Sequence, residues 1–229
     1  MSIEKKYTDF YLKTKLSKVY PDEFIVRIFL GTYPNHHFDK DFSGKKILDV
    51  GMGDGRHLKF FVEQGFDVYG TEITQVICNH VNKQFLHLGY AVNCKKGRNH
   101  MLPFNDSYFN YLVSWNSSYY MGNINNNHDY LEYLREFARV MKQGGYFIAS
   151  IPQKSCFIYD NVKDFTSGYK IILDDPYKIR NGEIMRCFES LEEIIDVYSI
   201  YFKDFHIAEK TDNCFGQKNH HYIIVCKKK

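Results

Sequence analysis

Between Lys45 and Ile151 the chain alternates short apolar runs with stretches whose apolar residues recur at helical spacing. Ile47-Leu48-Asp49-Val50 is the first run, and it stops at glycines. Leu58, Phe61 and Val62 then predict a helix. Asp67 to Gly70 reads as a second strand, followed by a helix carrying Ile77, Val81 and Leu88. After Gly89, Ala91 to Lys95 is a third strand, and Tyr111 to Trp115 a fourth. Leu131, Leu134, Phe137, Ala138 and Met141 line one face of an amphipathic helix predicted to end at Gly144-Gly145. Tyr146 to Ile151 is a fifth strand. Strands alternating with helices in this way predict a doubly wound, mostly parallel α/β sheet.

The flanks read differently. Residues 1–44 form a helical prelude: Phe10, Leu12, Leu16 and Val19 are loosely helix-spaced, and Phe24, Ile25, Ile28 and Phe29 resume after Pro21. Asp22 can cap that second helix with its carboxylate. Residues 152–184 lack a clear period and carry several turn signals, so they are read as an inserted, partly irregular segment within residues 45–229. Leu191 to Tyr198 is helical, and two strands near Phe205 to Glu209 and His221 to Cys226 close the chain.

At 229 residues all of this fits one domain. The formal net charge of +3, with no clustered basic face, argues against a nucleic-acid partner. Six cysteines form no CxxC pair, and no spacing of ligand residues points to a metal. Charged residues interrupt the N-terminal stretch, and no run is long enough for a membrane span. The expectation is a cytoplasmic protein with reduced thiols.

The chemistry concentrates in ILDVGMGDGRHLKFF, Ile47 to Phe61. Glycines at 51, 53 and 55 remove side chains where a strand turns into a helix, so a ligand can approach the backbone. A helix N-terminus also offers unsatisfied N–H groups. A dinucleotide fingerprint would place its third glycine at position 56, which is Arg56. About 20 residues on, the second strand ends in Gly70-Thr71-Glu72-Ile73, and a carboxylate at that distance suits the two hydroxyls of a ribose.

The glycine loop resembles motif I of the class I S-adenosylmethionine (SAM)-dependent methyltransferases. Leu102-Pro103-Phe104 with Asp106-Ser107-Tyr108-Phe109-Asn110 resembles a second segment of that superfamily, and Glu136, Arg139-Val140-Met141-Lys142 and Gly144-Gly145 a third. The resemblance covers about residues 45 to 153 and is closest to the small-molecule, type 11-like enzymes. It implies a seven-stranded Rossmann-like sheet, SAM as cofactor and S-adenosylhomocysteine as product. On it, Asp49, Gly51 and Gly53 surround the methionine part of the cofactor, Glu72 and Ile73 the ribose, and Tyr20 and Trp115 add contacts. Related enzymes carry Gly-Asp-Ala where this chain has Gly97-Arg98-Asn99. Arg98 has only donors, so Asn99 or backbone groups are expected to read adenine.

Methyl transfer needs mainly alignment, with a group to take a proton from an oxygen or protonated-amine acceptor. Candidates are Tyr11, Tyr119, His128 and His220, with His221, Asp106, Tyr20 and Tyr120 behind them. Asn116-Ser117-Ser118-Tyr119 keeps the outer residues of the Asn-Pro-Pro-Tyr motif of nucleic-acid and protein N-methyltransferases without its prolines. The expected partner is a small polar metabolite, sugars and sugar-linked compounds included, methylated on O or N. The rivals are an NAD(P)-dependent Rossmann oxidoreductase, disfavoured by Arg56 and the lack of a Tyr-x-x-x-Lys pair, and an inactive SAM-binding module. The aromatic prelude, with Tyr7, Phe10, Tyr11 and Tyr20, is expected to act as a lid.

Overall fold

The structure is a computed structural model describing residues 2–122 and 129–229. Its main sheet has seven strands: β1 (Lys46–Val50), β2 (Asp67–Glu72), β3 (Asn93–Lys96), β4 (Phe109–Ser114), β6 (Met141–Pro152), β10 (Phe202–Cys214) and β11 (Gln217–Lys228). Their order is β10-β11-β6-β4-β1-β2-β3. The first five strands of the chain in this sheet pair in parallel, and β11 runs antiparallel to both β6 and β10.

Strand alternation sorts the core. Ile47, Val113, Ile148 and Ile223 face one layer, with α2 (Glu23–Leu30), α3 (Arg56–Glu63) and α4 (Gln75–His87). Their neighbours Leu48, Leu112, Phe147 and Ile224 face the other, with α5 (Tyr130–Val140) and α6 (Leu191–Tyr198). Both faces of these strands are therefore covered, which is why they read as continuous apolar runs. Asp22 caps α2 through a bond accepted from the Phe24 amide at 2.9 Å.

Two expectations need correction. The helix before Gly144-Gly145 stops at Val140, because Met141 is already extended and begins β6. Phe109 pairs with Met141, but the next pair is Tyr111 with Tyr146, so the glycines form an irregularity in β6. A Cβ on Gly145 would stand 3.0 Å from the Asn110 carbonyl, across that irregularity. Residues 152–184 are also less irregular than their sequence suggests. They contain β7 (Val162–Thr166) and β8 (Tyr169–Ile172), which join β9 (Ile184–Arg186) and β5 (Tyr120–Gly122) in a four-stranded sheet ordered β5-β9-β8-β7. β7 is largely exposed and shows no alternation of burial, which hides it from periodicity. No helix among the described residues is long and apolar enough to cross a membrane.

Candidate active site

Strand β1 has β2 on one side and β4 on the other, so the chain leaves it in opposite directions. Such a reversal opens a crevice at the carboxyl ends of the strands. Here it is a cavity of about 340 Å³. Gly51, Thr71 to Ile73, the Gly97–His100 turn, and Asn116 with Ser117 line the strand-end side. The opposite side comes from α1 (Ile3–Tyr11), through Tyr7, Phe10 and Tyr11, and from the small sheet and its connections, through Tyr120, Arg180 and Glu183.

Gly51 and Gly53 both have positive φ, +70° and +58°, a region that disfavours a side chain. The amides of Gly51 and Met52 each donate to the Thr71 carbonyl at 3.0 Å, tying the loop to β2. A Cβ on Gly51 would stand 2.6 Å from the Ser117 Cβ, and one on Gly53 would meet the Tyr11 ring at 2.9 Å. Gly51 is therefore required by packing within the protein as well as by an approaching ligand. Gly55, at φ +79°, begins α3 against Val81 and Phe85.

Glu72 is the buried acid of the strand-end side. Its Oε1 accepts from the Gly53 amide at 3.1 Å and its Oε2 from the Ile73 amide at 2.8 Å. A carboxylate has about four lone-pair positions, so each oxygen retains room for a second donor. Burial raises its pKa to about 7, with Asp49 adding to the rise and the two amides opposing it. Nearby, the buried Thr71 Oγ1 has no partner among the described residues. Asn99 lines the cavity and donates to the Ser117 carbonyl at 3.3 Å.

The turn after β4 is held by hydroxyls where the nitrogen-methylating motif has prolines. Ser117 Oγ donates to the Val50 carbonyl at 2.6 Å, and Ser150 Oγ donates to Asn116 Oδ1 at 2.8 Å. The two later motifs clasp each other below the cavity. Arg139 donates to the Leu102 and Phe104 carbonyls and pairs with Asp106 and Glu136, while Glu136 accepts from the Leu102 amide. Asp106 is thus occupied in this clasp.

The predicted site residues divide by this geometry. Gly51, Glu72, Ile73, Arg98, Asn99 and Tyr11 reach the cavity wall. Arg98 pairs with Glu4 of α1 at 2.5 Å, which accounts for an arginine in a position read as adenine-facing. Asp49 is buried beneath the loop, its Oδ2 3.5 Å from His57 Nδ1, and Trp115 is buried with its ring 6.3 Å from that of His57. Tyr20 is 75% exposed, outside the cavity, because the chain turns at Pro21 to start α2.

Among the proton-acceptor candidates, Tyr119 is buried and stacked on Tyr120, and burial raises its pKa well above the ordinary value. Burial and Glu72 do the same for Tyr11, which therefore keeps its proton at neutral pH. His220 meets Ser155 Oγ at 2.8 Å on β11, away from the cavity lining, and His128 lies outside the described residues. His221 is buried, with its pKa pushed down to about 4 by burial and Lys210.

Sequence reading named Tyr7 as part of the lid but did not reach Tyr133, Arg180 or Glu183; all four are on the cavity wall. The turn that carries Arg180 had a visible signal in Asp174-Asp175-Pro176. Asp175 is buried, accepts from the Ile179 and Arg180 amides, and pairs with the Arg180 guanidinium at 2.7 Å. Arg180 Nε also donates to the Tyr120 hydroxyl at 2.7 Å.

Residues 48–149 match the family model described as a methyltransferase domain. No curated protein matches the chain in sequence. Among solved structures, a SAM-dependent methyltransferase from Methanosarcina mazei is similar with a TM-score of 0.62 and 18% identity, over 81% of this chain and 93% of that one. One from Mesorhizobium loti gives 0.56 and 12%, over 82% and 93%. The cyclase SpnF gives 0.60 and 13%, over 90% and 78%, so the shape by itself does not fix the chemistry. The family match runs from β1 through most of β6 and includes the glycine loop, Glu72 and both clasped motifs. Over these residues the chain is similar to a methyltransferase domain, carried on a fold shared with solved SAM-dependent methyltransferases.

Proposed function

We propose that the enzyme methylates a small polar metabolite, with SAM laid along the strand ends and the acceptor held between α1 and the small sheet. The observation that carries this reading is Glu72, a buried carboxylate whose two oxygens are fixed by loop amides beside a cavity. The residues fit the cofactor part by part. Glu72 can accept from both ribose hydroxyls, Asn99 offers a donor and an acceptor to an adenine edge, and Gly51 leaves backbone exposed to the methionine end. The Tyr11 ring lies over Gly53, where an aromatic face can favour a sulfonium.

When bound, SAM supplies an electrophilic methyl group, so the protein's task is alignment and exclusion of water. The first helix is suited to a lid. It has no fully buried residue, and polar contacts tie it down: Glu4 to Arg98, Thr8 to Thr74 at 3.2 Å, and Lys6 to the carbonyls of Ile179 and Asn181. Tyr11, protonated at neutral pH, can donate a hydrogen bond to the acceptor and cannot serve as its base. The nicotinamide reading is weakened further because Arg56, where a third glycine would stand, is folded back on Asp54 at 2.6 Å. Calorimetry with S-adenosylhomocysteine and with NADH tests the reading. Binding of the first and not the second is expected, and tighter binding of NADH would overturn it.

A further inference from the structure

The charges on the acceptor side of the cavity are matched with one exception. Arg180 is paired with the buried Asp175, and its guanidinium lies over the rings of Phe157 and Tyr177. Arg98 is paired with Glu4. Glu183 is 7% exposed and lines the cavity, yet its carboxylate accepts no hydrogen bond and forms no ion pair among the described residues. Among the described residues Lys6 is the cation whose field reaches it, and the Lys6 ammonium is turned to the Ile179 and Asn181 carbonyls, 3.5 and 3.3 Å away.

A buried carboxylate without a partner is costly, and a cationic ligand removes that cost. The surrounding wall favours the same ligand charge. Tyr7 and Tyr120 stand edge to face with ring centres 6.2 Å apart, and both line the cavity with Glu183. Tyrosine faces attract an ammonium group, and the attraction grows when water is excluded.

Building on the methyltransferase reading above, we propose that the methyl acceptor carries an ammonium group, which seats against Glu183 beside the Tyr7 and Tyr120 rings. Glu183 comes from the turn leading into β9, so this specificity is built by the small sheet, and Glu72 on the main sheet is left to the cofactor. Burial raises the Glu183 pKa, with Lys6 opposing the rise, and a bound cation would restore the ionised form.

The test is calorimetry on the full chain saturated with S-adenosylhomocysteine. The probes are primary amines from propylamine to phenethylamine, each set against the alcohol of the same skeleton. At least one amine is expected to bind tenfold or more tightly than its alcohol. Glu183→Gln, close to the same shape, should abolish that difference and leave S-adenosylhomocysteine affinity within twofold. Glu183→Asp should keep part of it, which separates lost charge from a damaged fold. The proposal is overturned if no amine outbinds its alcohol, if the preference survives in Glu183→Gln, or if that variant chiefly weakens S-adenosylhomocysteine. Failure of the wild-type chain to bind S-adenosylhomocysteine at all would instead sink the underlying function, and the proposal with it.

Discussion

The two sides of the cavity are built by different means. On the strand-end side, each functional group sits at the end of a main-sheet strand or in the turn that follows it: Gly51 after β1, Glu72 at the end of β2, Asn99 after β3 and Ser117 after β4. On the acceptor side, Tyr7, Tyr120, Arg180 and Glu183 come from three distant stretches of chain: pairing of β5 with β9 brings Tyr120 to Arg180 and Glu183, and Lys6 of α1, bonded to the Ile179 and Asn181 carbonyls, brings Tyr7. The first side is a property of the fold's topology. The second depends on an added sheet that could change without disturbing the first, which is how one fold serves many acceptors.

Breaking the strand-end side should cost most. Gly51→Val puts a β-branched residue at φ +70° with its Cβ 2.6 Å from Ser117. Strain and overpacking together predict a loss of roughly 2–6 kcal/mol in denaturant unfolding, along with loss of cofactor binding. An unchanged unfolding midpoint would mean the loop is not packed on Ser117.

A second effect comes from the raised pKa of Glu72. A carboxyl titrating near 7 in the fold and near the ordinary glutamate value of 4.5 when unfolded binds more protons in the native state between those values. Its favourable term is therefore full below pH 4.5 and is lost as the pH rises to about 7. At about 1.4 kcal/mol per pKa unit, the native state loses on the order of 3 kcal/mol across that window. Glu72→Gln should flatten this slope and make the unliganded protein more stable than wild type at pH 8. Parallel stability profiles for the two proteins would show that Glu72 is not held in a costly state.

The smallest effect sharpens the comparison at α1. The Arg98–Glu4 pair is 36% and 41% exposed, so Arg98→Ala should change stability by less than about 1 kcal/mol. Amide exchange over residues 3–11 should nevertheless quicken, because the pair ties the first helix to the turn after β3. Unchanged exchange there would remove Arg98 as a lid contact.

The same contrast explains what could be read from sequence. Glycines at a strand–helix turn and an acid at the next strand end are local requirements, so Gly51, Gly53 and Glu72 stood out and the order of elements was legible. The exceptions were long-range. Tyr20 shares its aromatic type with Tyr7 and Tyr11, but only the chain path past Pro21 takes it away from the cavity. Arg98 has a partner 94 positions earlier in the chain, in Glu4. Glu183 precedes a three-residue strand held between β5 and β8, and nothing in its immediate neighbours marks it as facing a cavity.

The claim that the strand-end side holds the cofactor is tested most directly by titrating S-adenosylhomocysteine into wild type and Glu72→Ala. Loss of hydrogen bonds to a charged group predicts about 1.5–3 kcal/mol of weakened binding, roughly a 10- to 150-fold rise in Kd, with the fold intact by circular dichroism. An unchanged Kd in a folded Glu72→Ala protein would contradict it.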